Sequence, residues 1–158
     1  MDIIIRPLEK KDAYTSWKWR NDPEIFKNTG RNYSGPVRLE DELKWIREVL
    51  NRPDERRFAI MADDVYVGNV YLTGITPTEA EIGIFIGEKS RWNHGIGTKS
   101  YLLVLDFAFR QLNLSCVKSI VRKENSASLK MHKKVGFQTT QIDPDFFSLT
   151  INSDDFSS

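Results

Sequence analysis

A chain of 158 residues is the size of one ordinary domain, long enough to bury a single core. Hydrophobic residues make up 40% and charged residues 28%, with a formal net charge of +1, so overall charge argues for neither a nucleic-acid nor a membrane partner. The single cysteine, Cys116, excludes an internal disulfide and points to a reducing, cytoplasmic setting; the apolar runs are too short to span a bilayer, and Met1-Asp2-Ile3-Ile4-Ile5-Arg6 lacks the layout of a secretory signal.

In chain order, residues 3–8 read as a first strand ended by Pro7, and residues 10–21 as a helix with Ala13, Tyr14 and Trp17 on one face. Asn21-Asp22-Pro23 breaks it, and Pro23 opens a further short helical turn. Residues 28–37 carry two glycines and a proline and read as a loop. Residues 40–50 place Leu43, Trp45, Ile46, Val49 and Leu50 at helical spacing, with Arg52-Pro53 as the stop. Residues 57–62 and 65–73 read as a strand pair turning at Asp63-Asp64, and residues 79–87 as the central strand. Tyr101, Leu102, Leu105, Ala108, Phe109 and Leu112 recur at three- and four-residue steps, which predicts one helix over 97–112. A strand over 116–121 follows, then a short helix capped by Asn125-Ser126, running through Lys134 and closed by Gly136. Phe137 starts another strand, and 146–151 completes the sheet. The small, acidic residues 152–158 read as a frayed tail.

The chemistry concentrates at the central strand. Glu81-Ile82-Gly83-Ile84-Phe85-Ile86-Gly87, the polar Glu88-Lys89-Ser90-Arg91 and the loop Trp92-Asn93-His94-Gly95-Ile96-Gly97 feed directly into the 97–112 helix. That order builds an anion cradle: glycines let backbone approach a phosphate, and the unpaired N–H groups of a helix start point at it. A tight turn that needs no ligand fits Gly-x-Gly equally well. A phosphoryl-transfer loop does not fit, because Gly97-Thr98-Lys99 reverses the Lys-Thr order and lacks the preceding glycine.

With Asn125 through Lys134 running into Gly136-Phe137, this arrangement resembles the GNAT superfamily of acetyl-CoA-dependent N-acetyltransferases over almost the whole chain. Asn125-Ser126-Ala127-Ser128-Leu129, Trp92 and the early Trp19-Arg20-Asn21-Asp22-Pro23 resemble the RimJ/RimL-type branch, which acetylates ribosomal-protein N-termini, together with related amino-sugar and polyamine acetyltransferases. The resemblance implies an α/β GNAT acyl-CoA N-acyltransferase fold over residues 1–151 as a single domain: a mixed central sheet flanked by helices and splayed between the fourth and fifth strands. Splayed strands leave backbone groups free to bond the pantetheine arm as an added strand would. It further implies acetyl-CoA as co-substrate, no metal, and cofactor contacts from Phe85, Ile86, Trp92, Asn93, His94, Gly95, Ile96, Gly97, Thr98 and Asn125. For the Phe85 and Ile86 side chains, plain core packing is the alternative. Trp92 stands where the family usually has Gln or Arg, and Asn93 where a glycine often follows; asparagine tolerates left-handed backbone, so the loop is expected to survive. Arg91 or Lys99 could add positive charge there, or sit solvated.

For catalysis the attacking amine, with a pKa of about 10, must lose a proton. Glu81 lies where several family members carry a general base, and Glu79 shares its strand face as a candidate substrate ligand. An exposed strand end is the alternative for both. The position that often holds a proton-donating tyrosine is His132 here, a donor or else a structural histidine. Ser128 and His94 are the other candidates. Cys116 has no base beside it in sequence, so direct transfer is expected rather than an acetyl-enzyme.

The acceptor wall is expected from the N-terminal third, with Trp19, Arg20, Asn21 and Tyr33 as substrate residues. Aromatic rings beside an arginine suit an amino-sugar nucleotide; a ribosomal-protein N-terminus is the other acceptor the resemblance implies. Trp17 and Trp19 cannot share a helix face, so one belongs to the core. Partners are therefore a small-molecule amine or a protein N-terminus, with homodimerisation implied by the resemblance. A noncatalytic acetyl-CoA sensor is the competing function.

Overall fold

The computed structural model describes residues 1–26 and 36–156. The expected loop over 28–37 falls mostly outside these residues, and Tyr33 with it.

Seven strands form one sheet in the order β1-β2-β3-β4-β5-β7-β6, where β1 is Ile3–Pro7, β2 Arg56–Ala62, β3 Val65–Thr73, β4 Glu79–Ile86, β5 Cys116–Arg122, β6 Gln138–Ile142 and β7 Phe146–Asn152. The β2–β3 hairpin turns on Asp63 (φ 49°) and Asp64 (φ 66°), two consecutive left-handed residues whose twist matches that of the flanking strands. Every neighbouring pair is antiparallel except β4 and β5, which run parallel. That parallel pair is joined only at Glu79 with Cys116, Ala80 with Val117 and Glu81 with Lys118. Beyond Glu81 the strands diverge, and the facing backbone edges of β4 and β5 open into a V.

Strand alternation separates two helical layers. On β2, Ala59 packs with Leu8, Ala13 and Ile46 beneath α1 (Ala13–Arg20) and α3 (Leu39–Leu50), whereas Ile60 belongs to the larger core. That larger core gathers Leu72, Ile82, Val117 and Leu149 against α4 (Ile96–Asp106) and α5 (Ser126–Val135). The short α2 (Pro23–Phe26) follows α1. Over β1–β3 both sheet faces are covered. Across the start of β4 and over β5, β7 and β6, one face carries a groove instead.

The structure corrects two expectations. The helix over 97–112 is not continuous: α-helix ends at Asp106, and Phe107–Gln111 widens into a π turn in which the Leu112 N–H bonds the Phe107 carbonyl at 3.2 Å. The apolar spacing read as one helix is also satisfied by such a widened last turn. The tail is not frayed through its described length, because Ser153–Asp155 makes a 3-10 turn and Phe156 packs on Phe109 at 5.4 Å between ring centroids. A lone aromatic in a polar tail gave no periodicity from which to read that docking.

Candidate active site

The loop leaving β4 is shaped by two left-handed residues, Asn93 (φ 64°) and Gly95 (φ 77°), which turn the chain into the first turn of α4 at Ile96. The first N–H groups of α4 have no carbonyl within the helix to bond, so they face outward with the positive end of the helix dipole. They border a cleft of about 430 Å³ between the open edge of β4 and the start of α5. Phe85, Ile86, Trp92, Asn93, Gly95, Ile96, Gly97, Thr98 and Asn125 all line it, joined by Ile25, Ile84, Arg91, Ala127, Ser128 and Met131. His94 is exposed and does not line it, and neither does the exposed Lys99; Arg91 brings the cation.

Two of these residues also hold the cleft in shape. The Trp92 indole N–H donates to the Ile86 carbonyl at 2.9 Å, tying the loop to the last residue of β4. A tryptophan at this position thus acts as a clasp, through a contact that Gln or Arg would make differently. Asn125 caps α5, its Oδ1 accepting the Ser128 N–H at 3.2 Å, while its amide group borders the cleft. Asn125→Ala is expected to cost about 1 kcal/mol by loss of the cap. A shift of the denaturation midpoint, with weaker CoA binding by calorimetry, checks it.

Where β4 and β5 part, a smaller cavity of about 60 Å³ is lined by Tyr71, Gly83, Ile84, Tyr101, Ser119, Asn125, Ser128 and His132, among others. It shares Ile84, Asn125 and Ser128 with the larger cleft. Beneath it lies a buried polar chain. The buried Tyr101 ring packs on His132, and Ser119 Oγ lies 2.8 Å from His132 Nε2. His132 Nδ1 lies 2.7 Å from the Ser128 carbonyl. A carbonyl can only accept, so Nδ1 carries the proton and Nε2 accepts from Ser119.

This geometry corrects the expectation for His132. The ring is 1% exposed, is wedged edge-on between Tyr101 and Phe137 at 4.9 Å from each, and has both nitrogens engaged. Burial holds its pKa below the ordinary 6.5, so it stays neutral. It orders the floor of the cavity and is not placed to protonate a leaving group.

Stability should depend on pH through this ring. With the folded pKa depressed, the unfolded ring gains a proton near 6.5 that the folded ring refuses until lower pH. The stability this site contributes is therefore complete above 6.5 and declines as pH falls below it toward the folded value. Denaturant midpoints taken on either side of that value should diverge for the wild type and converge for His132→Gln.

On the opposite sheet face, Glu79 and Glu81 point the same way but differ. Glu79 is committed: Lys118 Nζ lies 2.8 Å from its carboxylate, and that hydrogen bond holds its pKa below the usual carboxylate range. Glu81, at the last paired position of β4, is exposed and has no hydrogen-bond or ion-pair partner among the described residues. Both line a groove of about 410 Å³ with Thr73, Lys118, Ile120, Thr140, Gln141, Ser148 and Thr150.

The expected acceptor residues in α1 are mostly spent on structure. Trp19 is 5% exposed and lies flat on Gly87, where any Cβ would collide with its ring, so Trp19 is the core tryptophan and Trp17 the half-buried one. The Asn21 amide accepts the Val37 N–H at 2.6 Å and donates to the Val37 carbonyl at 2.9 Å, pairing with that residue as a strand would. Arg20 binds buried Glu42, with 2.6 Å between Nε and Oε1, and stacks on Trp45 at 4.1 Å. Arg57 in turn lies 4.9 Å from Trp45 and 4.7 Å from Tyr71, so Arg20, Trp45, Arg57 and Tyr71 form an alternating cation–aromatic wall. Sequence reading missed this wall, because only Arg-aromatic alternation across four separate segments would have announced it.

A mixed sheet whose parallel pair opens into a V beside a left-handed turn at a helix start defines the class of acyl-CoA N-acyltransferases. The chain belongs to one family within it: the acetyltransferase (GNAT) domain matches residues 2–138. It is an acetyl-CoA-dependent N-acetyltransferase. Among its relatives, acetyltransferase PseH of Campylobacter jejuni is 22% identical over 148 residues, covering 94% of this chain and 90% of PseH. The spermidine N-acetyltransferase of Vibrio cholerae, solved with CoA and spermine, superposes with a TM-score of 0.87 at 20% identity, over 97% of this chain and 96% of that one. Apo FdhC, described as a nucleotide-linked sugar GNAT, superposes with a TM-score of 0.83 at 23% identity, over 97% and 88%.

Proposed function

We propose that this enzyme moves the acetyl group of acetyl-CoA directly to the primary amine of a small polyhydroxylated acceptor, such as an amino-sugar nucleotide. The observation that carries this reading is that the small cavity where β4 and β5 part adjoins two clefts, sharing Ile84, Asn125 and Ser128 with one and Ser119 and Ile120 with the other. On one side the cleft bounded by the α4 start has the shape and donors for a pyrophosphate-bearing thioester, with the open strand edges available to its amide arm. On the other side the groove presents hydroxyls and an amide from Thr73, Thr140, Gln141, Ser148 and Thr150, suited to a polyol, with Glu81 at the junction to take the amine's proton.

Charge favours this acceptor over a polyamine. A polycation needs several uncompensated carboxylates, and Lys118 neutralises Glu79, which leaves Glu81. The description of FdhC as a nucleotide-linked sugar GNAT supports the same choice. With this reading go a cytoplasmic setting, resting on the lone Cys116, and a homodimer, resting on the resemblance.

Thiol release from acetyl-CoA tests it against amino-sugar nucleotides, polyamines, amino acids and N-terminal ribosomal peptides. Turnover confined to amino sugars is the expected result. Turnover on the peptides alone would move the acceptor to a protein N-terminus, in keeping with the RimJ/RimL-type branch. CoA binding with no turnover on any amine would favour a noncatalytic sensor.

A further inference from the structure

With His132 withdrawn and His94 outside the cleft, the cavity at the strand fork offers a phenol as donor for the departing sulfur beside the Ser128 hydroxyl. We propose that Tyr71 is a catalytic residue whose hydroxyl meets the coenzyme sulfur at the fork and gives it the proton with which it leaves as a thiol. This rests on the acetyl-transfer reading above.

Three observations place the hydroxyl. Tyr71 of β3 pairs with Gly83 of β4, so both face the acceptor side along with Glu81 two residues earlier. The ring lies across β4 because Gly83 has no side chain: a Cβ there would collide with Tyr71 Cε2 and fall 2.6 Å from Cζ and 2.8 Å from the hydroxyl. Arg57 holds the ring in place at 4.7 Å. The hydroxyl therefore ends at the open edge of β4, in the wall of the 60 Å³ cavity. It has no hydrogen-bond partner among the described residues, whereas the Ser119 hydroxyl and both His132 ring nitrogens in that cavity are engaged with one another and with Ser128. A phenol aimed into a cavity without a partner is a donor awaiting an acceptor.

The step balances. The amine nitrogen uses its lone pair to bond the acetyl carbon, and the carbon–sulfur bond breaks with its electrons passing to sulfur. The phenolic proton goes to sulfur, and the proton shed by the amine returns to the phenolate through Glu81 or water.

The deciding measurement needs no turnover. Thiolate ultraviolet absorbance of CoA bound to wild type and to Tyr71→Phe, with the CoA-free protein subtracted to remove Cys116, reports how easily the bound thiol ionises. A hydrogen bond from Tyr71 makes the wild-type thiol titrate at lower pH than in Tyr71→Phe, which keeps the ring but loses the donor. In steady state, kcat of Tyr71→Phe should fall about 100-fold, with KM for acetyl-CoA nearly unchanged. Gly83→Ala, which leaves the hydroxyl intact but pushes the ring off β4, should lower kcat likewise. A bound thiol that titrates identically in wild type and Tyr71→Phe overturns the proposal whatever the rates. Wild-type protein that does not bind CoA would instead sink the acetyl-transfer reading, and this one with it.

Discussion

Glu81→Gln should lower kcat/KM for the acceptor amine by about 100- to 1000-fold at neutral pH while leaving CoA binding intact. The substitution keeps the size and a hydrogen-bonding oxygen but removes the capacity to accept a proton. CoA binding is spared because Glu81 lines the groove on the acceptor face and not the 430 Å³ cleft. A second signature separates a base from a mere cation ligand. An alkylamine with a pKa of about 10 becomes increasingly neutral as pH rises, so a missing base matters less and the rate ratio of wild type to variant should shrink. A ligand role for Glu81 would show instead as a raised KM for the amine with kcat preserved. Rates of thiol release across pH, at saturating acetyl-CoA, distinguish the two. An unchanged kcat/KM would remove Glu81 from the mechanism.

Glu81 also shows where sequence reading reaches. Its place in the central strand was legible, because a strand, a left-handed turn and a helix start are local patterns. Asn93 in left-handed backbone and Asn125 as a helix cap were legible for the same reason: each depends on its own backbone and the next few residues. What distinguishes Glu81 from Glu79 was not legible, since it turns on Lys118, a residue of the neighbouring strand. The choice between Trp17 and Trp19 was decided by Gly87, far along the chain, whose bare backbone makes the flat seat for one indole. His132 sat in the expected register, yet Ser119 and the Ser128 carbonyl consume its nitrogens. Tyr71 carried no local signal at all: its position is set by Gly83 across the ladder. Backbone shape was local; chemical assignment depended on partners that only the fold brings together.

The same dependence predicts the largest loss of stability. Glu42→Ala should destabilise the protein by about 3–5 kcal/mol, read from denaturant midpoints. Glu42 is 1% exposed, and its carboxylate accepts Ser16 Oγ at 2.6 Å and Arg20 Nε at 2.6 and 2.8 Å, joining α1 to α3. Truncation removes a carboxylate partner from a guanidinium whose side chain is only 12% exposed and leaves a buried hydroxyl without its acceptor. The effect should reach the cation–aromatic wall, because Arg20 stacks on Trp45, and Trp45 on Arg57. A double variant tests whether the penalty arises from the pair itself or from the charge left behind. In Glu42→Leu with Arg20→Met, both charges go and apolar volume replaces them, so much of the lost stability should return. If the double variant is as unstable as the sum of its parts, the two side chains are not coupled and each acts through its other contacts; if it recovers, the cost of breaking the pair is largely the cost of leaving one buried charge without the carboxylate that balances it.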